Sequence, residues 1–191
     1  MKINTLKIKK AIFKRILKGY CVWSNLYMSF ERKFLKTKEV PQYCSKYGTV
    51  QESWYNLTKN LEHYGSDPYW KGFDVISAPE RFLVTKKDDC DTFACLAAVH
   101  FSQRFCYEGS LYVLDGLYCL NYGFKGHVVC VYKRAAAFPG LINNGAYIII
   151  DNKDVYSCNY LLAFYGSDVE MYGILGYNFK KNKLYFKEMG E

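Results

Sequence analysis

Three residues carry the side chains that nucleophilic thiol chemistry requires, and each lies at the start or end of a predicted element. Cys90 opens a predicted helix, His127 opens a predicted strand and Asp151 closes another strand. A helix N-terminus stabilises a thiolate, and a nearby histidine can take and return its proton. An acid at the other ring nitrogen fixes the orientation of the imidazole. The pattern predicts a nucleophile, Cys90, a base, His127, and an orienting acid, Asp151.

The residue after the predicted acid offers an alternative. Asn152 follows Asp151 directly, and an asparagine orients the histidine in papain-like enzymes. The sequence alone therefore leaves two candidates for the orienting group. Other histidines do not compete for the role of base, because His100 lies on the apolar face of the predicted helix and is expected in the core.

The elements that must position these residues follow from hydrophobic periodicity. Helical spacing predicts helices over residues 6–18, 49–64 and 89–105, a short helical turn capped by Ser77, and a helical segment over 156–165. Strand-like runs are predicted at 111–114, 127–132, 146–151, 172–179 and 183–186, the last two joined as a hairpin. Helices followed by a run of strands indicate an α+β fold with an antiparallel sheet.

Four segments of the chain, three of which contain the candidate residues, resemble motifs of a known family. Residues 87–94, KDDCDTFA, resemble the nucleophile motif of the transglutaminase-like superfamily, and residues 126–129, GHVV, resemble its histidine strand. Residues 149–152, IIDN, are similar to its acid strand. The stretch 67–82 resembles the segment before the nucleophile in the transglutaminase-like cysteine proteinases of bacteria and phages.

The resemblance implies both a fold and an activity. The fold would be papain- or transglutaminase-like, with a central helix carrying the nucleophile packed on the antiparallel sheet. The activity would be that of a cysteine hydrolase, or thiol protease, which cleaves an amide bond of a protein or peptide through a thioester and requires no cofactor. An amidase or an amine-accepting transglutaminase differs only in substrate or acceptor. The family implies a bacterial or phage-infected cytoplasm.

Two substitutions separate the chain from the family pattern. Asp88 stands where the family usually has glycine, and Thr92 replaces a second acid. Glycine tolerates backbone angles that aspartate does not, so the turn before Cys90 is expected to differ. An insertion-like aromatic stretch also lies between 106 and 126, with Tyr112, Tyr118, Tyr122 and Phe124. These departures leave open an inactive fold used as a phage structural or host-interaction module.

Acids flank the nucleophile on both sides. Asp89 and Asp91 can act as capping residues, which stabilise a first helical turn by about 0.5–1 kcal/mol each. In some members of the resembled family such acids help to bind calcium, and carboxylates are the hard oxygen ligands that this ion prefers. Calcium at Asp89 and Asp91 is therefore a second prediction.

Charge divides the chain unevenly. Residues 1–38 hold 11 of the 26 basic residues and one of the 18 acids, a net charge of +10, so the remaining 153 residues carry −2. We predict a basic helical extension, 1–40, and a hydrolase domain, 41–191. The extension is expected to pack Ile12, Phe13, Ile16 and Leu17 on the domain without being needed for folding. Its basic face suits an acidic partner or a membrane surface, and no motif for sequence-specific nucleic-acid binding is present.

Cysteine usage and hydropathy bear on metal sites and location. The chain has eight cysteines without a CxxC pair, and only three histidines, which disfavours a structural zinc site. Lysines and arginines interrupt the N-terminal apolar residues, so no signal peptide is predicted, and no apolar run is long enough to span a membrane. A cytoplasmic protein with mostly buried, reduced thiols is expected.

Overall fold

The computed structural model describes residues 5–63, 75–107, 109–121, 126–135, 145–160, 165–166 and 169–190. Within these ranges the helices are α1 (Thr5–Phe34), a 3-10 helix (Ser45–Tyr47), α2 (Val50–Thr58), α3 (Pro79–Thr85) and α4 (Cys90–Phe101). The strands are β1 (Glu62–His63), β2 (Lys87–Asp88), β3 (Arg104–Tyr107), β4 (Ser110–Asn121), β5 (Gly126–Arg134), β6 (Tyr147–Asp151), β7 (Asp154–Cys158), β8 (Met171–Asn178) and β9 (Lys183–Met189).

Seven strands form one antiparallel sheet in the order β7-β6-β5-β4-β8-β9, with β3 also paired to β4. Strands β1 and β2 form a separate parallel pair just before α4. The predicted α+β class with an antiparallel sheet is confirmed.

Helix α4 packs on one face of the sheet, against β4, β5 and β6. Ten of its twelve residues are buried, which agrees with its apolar sequence, because a helix that is hydrophobic nearly all round must be covered on all sides. The opposite face of the sheet carries a smaller apolar cluster that includes Val129, Val131 and Ile149. The N-terminus of α4, with Cys90, therefore lies at the border of a rigid two-layer core.

Helix α1 is longer than the predicted 6–18 and contributes to the core. Leu17, Cys21 and Met28 are 0–5% exposed and belong to the main apolar cluster. Leu17 packs so closely on β8 that a Cβ at Gly173 would lie 2.1 Å from its Cδ1 atom. This packing argues against the expectation that residues 1–38 are dispensable for folding, and the division at residue 40 stays a prediction.

The predicted apolar face of α1 is split between two sides. Phe13 packs against the core, whereas Ile12 and Ile16 are 54% and 59% exposed. Hydrophobic spacing predicted the helix correctly, but could not tell which apolar residues face the domain. No helix within the described ranges is long and apolar enough to cross a membrane.

Several local predictions are wrong. Residues 154–158 form strand β7, which pairs with β6, so the predicted helix over 156–165 begins in a strand; residues 161–164 lie outside the described ranges. Helix α2 ends at Thr58 and not near residue 64. Ala78 and not Ser77 precedes the first turn of α3, because the Ala78 N–H donates to the buried Glu31 carboxylate at 2.6 Å.

Two substitutions in α1 test its place in the core. Met28→Ala removes a side chain that is 0% exposed, so we expect a loss of about 2–5 kcal/mol in the free energy of unfolding. Leu26→Ala is the matched control, because Leu26 is 57% exposed on the same helix and should change stability by less than about 0.5 kcal/mol. Urea unfolding measures both. Equal, small effects would mean that α1 is detached from the domain.

Candidate active site

Cys90 is the first residue of α4, where the predicted nucleophile was expected. Its backbone position leaves the sulfur at the end of β5, and the Val128 N–H donates to Cys90 Sγ at 3.4 Å. Asp89 occupies the N-cap position in an extended conformation but makes no side-chain capping hydrogen bond. The sulfur therefore lies near two sources of partial positive charge, a backbone N–H and the helix N-terminus.

His127 and Asp151 meet across neighbouring strands. The pairing of β5 with β6 ends at Cys130 and Ile150, and Asp151 follows directly. Its side chain reaches His127, with His127 Nε2 2.8 Å from Asp151 Oδ1. Cys90 Sγ accepts from the Val128 N–H next to His127, and the interaction of Cys90 with the imidazole contributes to raising the pKa of His127. The structure thus brings together Cys90, His127 and Asp151 from three separate elements.

The pKa of His127 reflects these contacts. Burial lowers the pKa, but the hydrogen bonds to Asp151 and Cys90 and the charges of both groups outweigh burial and raise it from 6.5 to about 10. His100 gives the contrast: its ring contacts Ser53 Oγ at 3.0 Å and the Pro41 carbonyl, and burial lowers its pKa. His100 is the core histidine that the sequence predicts.

The raised pKa of His127 affects its charge at neutral pH and the way in which stability depends on pH. The imidazolium persists through neutral pH, so it can pair with a thiolate and serve as an acid. Its contribution to stability is complete below about pH 6.5 and is lost as the pH rises towards about 10.

Tyr165 is a site residue that the sequence did not predict. Its hydroxyl donates to Asp151 Oδ2 at 3.2 Å, so the two carboxylate oxygens have separate partners, Tyr165 and His127. The Tyr165 ring lies at 6.5 Å from the His127 ring, in an edge arrangement. No local pattern connects position 165 with position 151, since the contact depends on how the chain returns to the sheet.

Asn152 does not take the orienting position. Asp151 holds the His127 ring nitrogen, while Asn152 forms the turn after β6 with a φ of 50°, a left-handed conformation that asparagine tolerates. The Asn152 carbonyl accepts a hydrogen bond of 2.9 Å from Trp54 Nε1. The fully buried Trp54 of α2 therefore holds the turn that follows the acid, and this link was also missed.

Three carboxylates cluster before and within the first turn of α4. Ligand oxygens of Asp88, Asp89 and Asp91 lie within 4.8 Å of one another. Asp91 accepts hydrogen bonds from Tyr20 and from Thr92 Oγ1, whereas Asp89 Oδ1 is buried without a hydrogen-bond partner. Both carboxylate oxygens of Asp91 therefore already accept hydrogen bonds within the protein. Calcium binding at Asp89 and Asp91 stays a prediction.

The turn before Cys90 does not depend on glycine. Asp88 is not among the residues with positive φ, so an L side chain is accommodated there. Its Oδ1 accepts a hydrogen bond of 3.0 Å from the Asp89 N–H, and its backbone pairs with His63 in β1. The aspartate thus stabilises the turn before Cys90 locally.

The predicted aromatic insertion is part of the sheet. Tyr112 and Tyr118 lie in β4, where the Tyr112 hydroxyl donates to the Gly145 carbonyl at 2.8 Å and the Tyr118 hydroxyl donates to Asp115. Tyr122 and Phe124 lie outside the described residues, as does the first half of the 67–82 stretch, residues 67–74. All eight cysteines lie in described ranges, and none forms a disulfide.

Asp151→Asn tests the electrostatic coupling in this cluster. The substitution removes the charge of Asp151, which raises the pKa of His127, while burial continues to lower the pKa and Cys90 continues to raise it, so the pKa should fall below about 10. Histidine NMR titration, assigned through a His127→Gln variant, measures the change. An unaltered His127 pKa would mean that Asp151 does not interact with the ring.

Tyr165→Phe tests the second partner of the acid. Loss of the hydroxyl leaves Asp151 Oδ2 without this donor, so the carboxylate should orient the imidazole less well. We expect Cys90 alkylation to slow by about three- to tenfold, the equivalent of about 1 kcal/mol for one hydrogen bond. Tyr160→Phe is the control, because Tyr160 is 77% exposed. Equal rates in both variants would remove Tyr165 from the site.

Comparison of the chain with protein-family models, curated proteins and solved structures gives no significant match.

Proposed function

We propose that the chain is a cysteine hydrolase that cleaves an amide bond, most simply a peptide bond, through Cys90, His127 and Asp151. The observation that carries the proposal is the placement of Cys90, the first residue of a buried helix, beside the start of β5, where His127 is hydrogen-bonded to Asp151. This arrangement brings a nucleophile, a proton carrier and an orienting acid together.

In the acylation step, the Cys90 thiolate attacks the carbonyl carbon of the amide. The tetrahedral oxyanion is stabilised by backbone N–H groups, and the N–H of Cys90 is suited to this because the first N–H groups of a helix have no intrahelical partner. The C–N bond then breaks as the His127 imidazolium donates its proton to the leaving amine. The products of this step are a free amine and a Cys90 thioester.

In the deacylation step, neutral His127 removes a proton from water as the oxygen attacks the thioester carbon. The C–S bond breaks, the acid product leaves, and the imidazolium–thiolate pair is restored. An amine in place of water would give a new amide, the outcome of a transglutaminase. Asp151 holds Nε2 of the His127 ring and thereby fixes the orientation of the imidazole.

The fold proposal rests on the order of these elements. A buried helix opens with the cysteine, the next long antiparallel pair brings the histidine, and the following strand ends on the acid. This order is similar to that of papain- and transglutaminase-like enzymes. We therefore propose that the α+β fold of the chain is a member of that architecture, with a protein or peptide as substrate.

A small activated acyl ester tests the nucleophile without knowledge of the natural substrate. The wild-type chain incubated with p-nitrophenyl acetate should acquire an acetyl group on Cys90, found by peptide mass mapping and released by hydroxylamine as expected of a thioester. Cys90→Ala should lose this signal. Cys106→Ala, which removes an exposed cysteine outside the site, should retain it.

The fate of the acetyl group on Cys90 then distinguishes hydrolysis from transfer. Release of acetate indicates hydrolysis, whereas acetylation of an added alkylamine indicates transfer. Acetylation of Cys90 no faster than that of the exposed Cys44 and Cys106 would contradict the proposal and leave the inactive interaction module as the better account.

A further inference from the structure

Helix α1 has a second apolar side whose large side chains are about half or more exposed. We define the outer stripe as its large apolar residues on this side: Ile12, Ile16, Trp23, Leu26, Phe30 and Phe34. Each is 50–63% exposed. At 100° per residue they fall within an arc of about 80° and run for about 33 Å along the helix. Exposed apolar surface of this extent marks an interaction site in a folded protein.

The outer stripe lies opposite the packed side of the helix. Leu17, Cys21 and Met28 are 0–5% exposed and face β8 and β9, roughly 150° around the helix from the centre of the stripe. The stripe is therefore not a part of the core left uncovered by a small shift of α1. One side of the helix anchors it, and the other is presented to a partner.

Basic residues border the outer stripe. Lys9 lies on one flank, with 58% of its side chain exposed and its Nζ atom 3.7 Å from Glu170. Arg15 and Lys33 lie on the other flank, where Lys33 Nζ stands 5.1 Å from the centre of the Phe34 ring. Together with the net charge of +10 over residues 1–38, these flanks require a partner that is both apolar and negatively charged.

Charge disfavours a second copy of the chain as that partner, because pairing two stripes would bring two segments of +10 into contact. A protein partner is also less suitable. Protein interfaces place hydrogen-bonding groups among their apolar contacts, whereas only apolar residues and Gly19 lie in the arc of the outer stripe between residues 8 and 34. A lipid surface does not fix the position of individual side chains, so it needs no hydrogen-bonding groups within the stripe.

We propose that the outer stripe docks the protein on an anionic membrane surface, with α1 parallel to the bilayer. The apolar side chains would enter the boundary between headgroups and acyl chains, while the flanking lysines and arginines contact acidic headgroups. Trp23, Phe30 and Phe34 are of the types that favour this boundary. This mode needs no spanning helix and is independent of the chemistry at Cys90.

Vesicle co-sedimentation of the full chain tests the proposal. Phosphatidylcholine vesicles containing phosphatidylglycerol should bind the protein, phosphatidylcholine alone should not, and added salt should weaken binding. Trp23 fluorescence should shift to the blue on binding, and the shift should be absent in Trp23→Phe. The triple variant Ile16→Ser, Leu26→Ser, Phe30→Ser should bind at least about tenfold more weakly, because three apolar contacts are removed.

The matched control is Tyr55→Ser with Tyr160→Ser, two substitutions of exposed aromatic residues outside α1. Both proteins should keep the wild-type circular dichroism spectrum, and the control should bind as the wild type does. Absence of vesicle binding, equal binding to neutral vesicles or equal loss in the control would overturn the proposal. A dimer in sedimentation that the triple variant abolishes, without vesicle binding, would assign the stripe to a second copy instead.

Discussion

The hydrogen bond between His127 and Asp151 is the interaction on which the site depends. Burial alone would leave the imidazole neutral, as it does for His100, and a neutral ring cannot stabilise a thiolate. The carboxylate at 2.8 Å reverses this outcome and, with Cys90, raises the pKa to about 10. The bond requires the register of β5 and β6. Trp54 holds the turn after Asp151, and Tyr165 donates to the second oxygen of the Asp151 carboxylate.

Helix α1 supports the first turn of α4, which begins with Cys90, and the segment that leads to α3. The Ser24 hydroxyl accepts from the Ile76 N–H at 3.1 Å, and the Glu31 carboxylate accepts from the Ala78 N–H, so the segment leading to α3 is fixed to α1. Burial raises the pKa of Glu31, and the Ala78 N–H opposes this rise. Tyr20 donates to Asp91 in the first turn of α4. One helix thus supports the nucleophile's turn and presents the outer stripe.

Local patterns predicted the three central residues and their elements. The apolar run that follows Cys90, the β-branched run that begins at His127 and the one that ends at Asp151 have strong periodicity, which depends on neighbouring residues alone. The contacts from Tyr165, Trp54 and Tyr20 join positions 14 to 98 residues apart and have no such signal. The 156–165 helix failed for a related reason, since pairing with β6 overrides the weak helical preference of that segment.

The rate at which iodoacetamide alkylates Cys90 at pH 7 tests the central claim most directly, because it reports the thiolate that His127 is proposed to hold. The account predicts that Cys90 reacts about tenfold or more faster than the exposed Cys106, and that His127→Gln reduces its rate to that of Cys106. Equal rates for Cys90 and Cys106 in the folded wild-type chain, or an unchanged Cys90 rate in His127→Gln, would contradict it.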